Sequence, residues 1–115
     1  LGIPYRGVTY MQITVSGLHT EIPASLREYV EEKASKFERY YDRVQTVEVV
    51  FAAEASKLKC EIIARADHHA TFVAKEIHED AFAAFDTTAR ELERQLTRHK
   101  EKHRNHKHPE ADRMG

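Results

Sequence analysis

The sequence predicts a two-layer α+β domain, in which two helices cover one face of a four-stranded sheet in the order β-α-β-β-β-α. Its length of 115 residues is that of one domain with a single modest core. Four stretches alternate apolar and polar residues, which is the period of half-buried strands. Two longer stretches repeat apolar residues every three or four positions, which is the period of amphipathic helices.

The first strand and the first helix are predicted within residues 11–41. "MQITVSG" at 11–17 alternates strictly and reads as a half-buried strand. The helix begins either with Pro23 in its first turn or with a capping box made by Ser25 and Glu28, and it ends near Tyr41. Its core stripe is Leu26, Val30, Lys33, Ala34, Phe37 and Tyr41. Its opposite face is mostly acidic.

Three more strands are predicted in 44–55, 57–67 and 68–77, with a tight hairpin near Ser56 and a turn near Asp67–His69 before the last strand. The inward residues of the first two are Val47, Val49, Phe51, Ala53, Leu58, Cys60, Ile62, Ala64 and Ala66. Each strand has one mostly apolar side, so one face of the sheet is expected to be packed and the other solvated.

The second helix is predicted to open at Glu79 and Asp80, where negative charge suits the positive end of a helix. With no Gly or Pro before Pro109, it can run for about 25 residues. Its core stripe is Ala81, Phe82, Phe85, Ala89, Leu92, Leu96 and His99. Residues 1–10 precede Met11 and are interpreted as an upstream extension or cloning remnant, and 105–115 as a flexible tail.

Charge is distributed unevenly along the chain. The net charge is −1, but residues 1–86 hold 10 Lys and Arg against 14 Asp and Glu, whereas 87–108 hold 7 against 3. This asymmetry is typical of an anion-binding element at one end of a fold. No run of 18 apolar residues and no signal peptide is found, and a lone Cys60 excludes an internal disulfide. We therefore expect a cytoplasmic protein with no membrane partner.

Catalytic and metal-binding signatures are weak. The sequence has no P-loop or nucleophile-elbow motif, and Cys60 alternates into the core. His99 and His103 stand four apart, and His106 and His108 follow, but a tight site needs further fixed ligands. We interpret these histidines as incidental and expect no enzyme activity, no cofactor, no metal and no small-molecule substrate.

A basic ridge on the second helix remains. Arg90, Arg94 and Arg98 are four apart and lie opposite Phe85 and Leu92 on a helical wheel. Further basic residues surround the helix end: Lys100, Lys102, Arg104 and Lys107. The ridge is either an ordinary solvated face with Glu–Arg pairs or a phosphate-contacting surface. Arginine favours phosphate, because its planar fork bonds two oxygens at once.

Three stretches carry a family resemblance: "LREYVEEKASKFERYYDRV", "VEVVF" and above all "HEDAFAAFDTTARELERQLTRHKEK". Their combination resembles the ribosome hibernation-promoting factors, also called ribosome-associated inhibitors, and the resemblance spans about residues 11–104. It implies a ribosome-binding domain with a fold similar to double-stranded RNA-binding domains. It also implies binding to the small ribosomal subunit in the channel for messenger and transfer RNA, which blocks transfer RNA and silences translation.

Contacts to ribosomal RNA are implied by the same resemblance. Arg94 and Arg98 match basic positions of the second helix, whereas Arg27, Lys33, Lys36 and Arg39 match basic positions of the first. Glu91 departs from the Lys that is frequent in relatives, and Arg90 can substitute for it. The length is similar to that of short family members, some of which act with a separate ribosome-dimerising factor. A free-standing double-stranded RNA-binding module and a protein-interaction domain that meets an acidic partner remain as alternatives.

Overall fold

The structure is a computed structural model that describes residues 11–106, with side chains described as far as residue 102. Its elements are β1 Gln12–Leu18, α1 Ala24–Ala34, β2 Val44–Glu54, β3 Lys57–Ala66, β4 Thr71–His78 and α2 Ala81–His106. The predicted order β-α-β-β-β-α is confirmed. The expectations for residues 1–10 and for 107–115 of the predicted tail lie outside the described residues, whereas 105–106, which were also predicted as tail, are the last two residues of α2.

The four strands form one mixed sheet in the order β1-β2-β3-β4. β1 and β2 are parallel and joined by the α1 crossover, whereas β2–β3 and β3–β4 are antiparallel. The β2–β3 hairpin turns at Ala55, whose φ of 57° is left-handed, and Ser56. The predicted tight hairpin at this place is confirmed.

Both helices cover one face of the sheet. A row of residues in register across all four strands, Val15, Val49, Ile62 and Ala74, is buried beneath them. Val30 of α1 and Leu92 of α2 complete the core and are fully buried. The predicted inward sets are therefore confirmed, except that Ala53 is exposed at the hairpin end of β2. The other sheet face is solvated, as expected.

The first helix differs from its prediction at both ends. Pro23 is the N-cap rather than a first-turn residue, and no side-chain capping bond forms at that end. α1 ends at Ala34 and continues as a five-residue 3-10 turn, Ser35–Arg39. The Ser35 hydroxyl donates back to the Glu32 carbonyl at 2.6 Å, a bond that competes with regular helix geometry. The tighter turn still buries Phe37.

The turn predicted near Asp67–His69 is confirmed, but the last strand starts later than predicted. His68 and His69 adopt left-handed φ values of 62° and 64°, so the chain turns there instead of extending. A bond from the Ala66 amide to the Ala70 carbonyl, at 2.8 Å, closes the turn. β4 therefore begins at Thr71, and Phe72 is buried.

Candidate nucleic-acid interface

The ridge on α2 consists of Arg90, Arg94 and Arg98, and all three are exposed. Their spacing of four places them one turn apart along one side of the helix. Phe85 and Leu92, on the opposite side, are fully buried against the sheet. The burial of that apolar stripe fixes the rotation of α2, and it is this rotation that points the three guanidinium groups toward solvent.

Arg94 is held in place by its neighbours on α2. It forms an ion pair with Glu91, whose other oxygen accepts a bond from the Gln95 amide at 3.3 Å. The Gln95 amide also donates to the Val73 carbonyl of β4 at 3.0 Å, which ties this cluster to the edge of the sheet. Hydrogen bonds from Gln95 and then Arg94 lower the pKa of the Glu91 carboxyl. Arg94 keeps further N–H donors that can reach phosphate.

Arg90 and Arg98 are less restrained. Within residues 11–102, neither forms a salt bridge or a side-chain hydrogen bond. Their guanidinium groups are therefore available to an outside anion. Of the three arginines, Arg94 alone forms a direct ion pair with a glutamate of the described residues. Arg98 and Arg90 act at longer range, where their positive charges favour a lower pKa of Glu91 and of Glu93, respectively.

The C-terminal part of α2 is anchored by an aromatic contact. His99 is half-buried, and its ring lies edge-on to Tyr41 and Phe72 with centroid distances of 5.0 and 5.1 Å. Lys100 and Lys102 follow and are exposed. The backbone of Arg104 continues the helix, but its side chain lies outside the described residues, as does that of His103. Among the described residues, no three potential ligands cluster as a metal site would require.

The four basic residues of α1 and of the 3-10 turn that follows it do not form one surface. Arg27 donates from Nη1 to the Val15 carbonyl at 3.0 Å and so faces β1, the strand farthest from β4. Lys33 faces α2 instead. Lys36 and Arg39 are exposed on the 3-10 turn and make no ion pair within the described part of the chain.

A polar seam between α1 and α2 accounts for Lys33. The Tyr29 hydroxyl donates to both oxygens of Asp86, at 2.7 and 3.0 Å. Lys33 Nζ lies 3.8 Å from Asp86 Oδ1 and 5.2 Å from the centre of the Tyr29 ring. Partial burial raises the pKa of Glu93 on the same side of α2, although Lys33 and Arg90 act to lower it. We call Tyr29, Lys33, Asp86 and Glu93 the seam.

The sequence interpretation missed the seam. One signal was present: Lys33 falls inside an otherwise apolar stripe, which favours a cation with a partner across the helix interface. Asp86 follows Phe85 directly and so lies at the edge of the second stripe. The exposed Tyr40 lies at this interface as well, where its hydroxyl helps to lower the pKa of Glu93.

The single cysteine fits no nucleophilic role. Cys60 is fully buried, and burial raises the pKa of its thiol to about 12. The neighbouring Thr88 hydroxyl lies 3.4 Å from the Cys60 carbonyl and donates to the Ala84 carbonyl at 2.7 Å, so its polar group is satisfied inside the core.

Within the described part of the chain, neither helix has the length and the apolar composition that a membrane span requires.

Comparison with known proteins finds a family with the same sequence pattern. Residues 13–104 match the family described as sigma 54 modulation protein / S30EA ribosomal protein. A ribosome hibernation promoting factor of Azotobacter vinelandii is 44% identical over 92 residues, which make up 80% of this chain and 85% of that protein. One of Salmonella typhimurium is 39% identical over 101 residues, covering 84% of this chain and 100% of that protein.

Solved structures show the same fold. The N-terminal domain of Thermus thermophilus protein Y superposes with a TM-score of 0.68 at 30% identity, covering 76% of this chain and 98% of that one. A ribosomal subunit interface protein from Coxiella burnetii has a TM-score of 0.69 at 24% identity, covering 78% and 98%. The predicted α+β fold class is thus confirmed both by the coordinates and by these neighbours.

Proposed function

Because the chain belongs to the sigma 54 modulation protein / S30EA ribosomal protein family, we propose that it is a ribosome hibernation factor. It binds the small ribosomal subunit of idle or stressed cells and silences translation. The single observation that carries this proposal beyond the relatives' names is the exposed ridge of Arg90, Arg94 and Arg98. It supplies what a ribosomal RNA surface requires, since most protein contacts to nucleic acid go to phosphate oxygens.

The proposed mechanism is steric. The domain occupies the channel for messenger and transfer RNA, and transfer RNA cannot enter while it is bound. Affinity comes from charge-assisted bonds to phosphates, with the ridge as the main contact. The other contributors are Lys100, Lys102, Arg104, Lys36 and Arg39. Lys33 and Arg27 also take part, through those N–H groups that are not engaged in their contacts within the domain. No bond is made or broken, so the function requires neither a catalytic group nor a cofactor.

Location and partners follow from this role. A protein that acts on ribosomes works in the cytoplasm. Its partners are the small subunit and the ribosomal RNA of that subunit, and a separate ribosome-dimerising factor is a further candidate. A free-standing module for duplex RNA is the second candidate function, because the same ridge would also suit the backbone of any duplex.

Sedimentation with purified ribosomal particles tests the proposal. At low salt the protein should travel with small subunits, and adding it should displace transfer RNA from them. Binding should weaken steeply as salt rises, because several phosphates are contacted. If the protein stays at the top of the gradient, the proposal is wrong. If it binds naked duplex RNA as tightly as it binds subunits, the duplex-RNA module is the better description.

A further inference from the structure

A small apolar pocket opens at the end of the domain where both helices begin. It lies between the start of α1, the start of α2 and the β2–β3 hairpin, and its volume is about 230 Å³. Leu26 and Phe51 are buried at its floor. Its walls are half-buried side chains: Ile22, Leu58, Ala81 and Phe82.

The backbone around the pocket is fixed by local structure. A Cβ on Gly17 would lie 2.2 Å from the Thr20 carbonyl oxygen and 3.2 Å from Ile22 Cδ1, so only glycine allows the chain to fold back here. That return carries Ile22 over the sheet. On the other side, Asp80 Oδ2 accepts a bond from the Ala83 amide at 2.9 Å and fixes the start of α2. The pocket is therefore part of the folded framework.

The size of the pocket limits its ligand. Sites for drug-sized molecules and cofactors span roughly 300–1,000 Å³, which is more than this pocket offers. One aliphatic or aromatic side chain fits, and such a side chain is the usual anchor of a protein interface. Apolar surface that remains in water is unfavourable, so a side chain that covers it gains affinity.

The charge at the rim limits the ligand further. Among the ten residues that line the pocket, Glu21 and Asp80 are acidic, and none is basic. Both are exposed. α2 runs from this rim toward the basic ridge, and Arg94 lies roughly 20 Å away along the helix. The pocket and the ridge therefore occupy separate places and carry opposite charge, so a polyanion suited to one does not suit the other.

We propose that this pocket binds a polypeptide segment that inserts one apolar side chain flanked by Lys or Arg residues. The apolar side chain is buried against Leu26 and Phe51, and the flanking cations meet Glu21 and Asp80. The partner is thus a protein rather than a nucleic acid. Because the ridge is distant, a protein can occupy the pocket while α2 contacts RNA.

Titration of the isotope-labelled full chain with three capped tripeptides, followed by nuclear magnetic resonance, tests the proposal. Lys-Phe-Lys should shift the amide signals of Ile22, Ala81 and Phe82 in a saturable manner. Lys-Ala-Lys lacks the anchor and should leave these signals in place. Glu-Phe-Glu keeps the anchor but reverses the charge, and should bind at least about fivefold more weakly.

Two variants connect these shifts to the pocket. Ala81→Leu fills the space and should abolish the response to Lys-Phe-Lys. Glu21→Lys lies on the exposed rim, leaves the core untouched and should weaken binding about threefold or more, whereas Glu101→Lys, at the far end of α2, should not.

Three results would overturn the proposal. The first is the absence of saturable shifts, or shifts that map elsewhere. The second is equal binding of Glu-Phe-Glu and Lys-Phe-Lys, which would remove the requirement for cations. The third is a change of the same signals with protein concentration alone, which would show that a second copy of the chain occupies the pocket.

Discussion

The two helices of this domain pack on the same sheet but present different surfaces to solvent. The α1 segment, residues 24–39, carries four basic and four acidic side chains, and it changes from an α-helix to a 3-10 turn at Ser35. α2 carries six basic and four acidic side chains on one uninterrupted helix. By these counts alone, the net charges of the two helices differ only modestly.

Side-chain direction makes the difference larger. Asp86 and Glu93 of α2 lie in the seam toward α1, and Glu91 pairs with Arg94, so the outer side of α2 is left basic. The three glutamates at 28, 31 and 32 of α1 are instead exposed, with no ion pair in the described part of the chain. A polyanion therefore meets attraction on α2 and mixed charge on α1.

The largest expected effect comes from reversing the ridge. Changing both Arg94 and Arg98 to Glu should weaken binding to small subunits by roughly a hundredfold or more, because the two proposed phosphate contacts would become repulsive. The melting temperature should change little, since both side chains are exposed. Filter binding and thermal unfolding check the two expectations. A large fall in melting temperature would show instead that these arginines support the fold.

Substitution of the two basic residues of the 3-10 turn should weaken binding less. Changing Lys36 and Arg39 to Gln removes two exposed cations beside several glutamates, and binding should weaken only about two- to fivefold. The same filter-binding assay at several salt concentrations measures this loss. If the loss equals that of the neutral pair Arg94→Gln with Arg98→Gln, the two helices contribute equally, and the contrast between them is wrong.

Arg27 should affect stability more than binding. Changing it to Ala removes the bond to the Val15 carbonyl and should lower the free energy of unfolding by about 0.5–1 kcal/mol. Lys36→Ala is the control, because Lys36 has no such bond. Urea unfolding distinguishes the two. Equal stability of both variants would show that the Arg27 bond contributes nothing measurable.

The smallest effect concerns Glu93 in the seam. Burial raises its pKa in the folded state above the ordinary value of 4.5, so the folded protein binds this proton more tightly than the unfolded chain does. The resulting stability is present below the unfolded pKa and is lost as pH rises through the folded pKa. Glu93→Gln does not titrate, so its stability relative to wild type should be higher at pH 7 than at pH 4. A difference in unfolding free energy that is independent of pH would contradict this.

Periodicity predicted the elements and the ridge because both depend on one apolar stripe per helix. Phe85 and Leu92 determine which side of α2 is buried, and the position of Arg94 follows from the helix pitch. The seam could not be predicted in this way, because the contact between Tyr29 and Asp86 depends on the angle at which the two helices pack. The early end of α1 at Ser35 and the left-handed φ values of His68 and His69 depend on local hydrogen bonds that leave no periodic signal.

Directed cross-linking from the two helices to ribosomal RNA tests the role of α2 most directly. Cys60 is buried with a thiol pKa of about 12, so an introduced cysteine is the reactive one at neutral pH. Glu101→Cys places a photoactivatable group three residues from Arg98 without removing a cation, and Glu31→Cys places the same group on α1. The ridge assignment predicts strong cross-links to small-subunit ribosomal RNA from position 101 and weak ones from position 31. Stronger cross-links from position 31, or none from position 101 while binding persists, would contradict it.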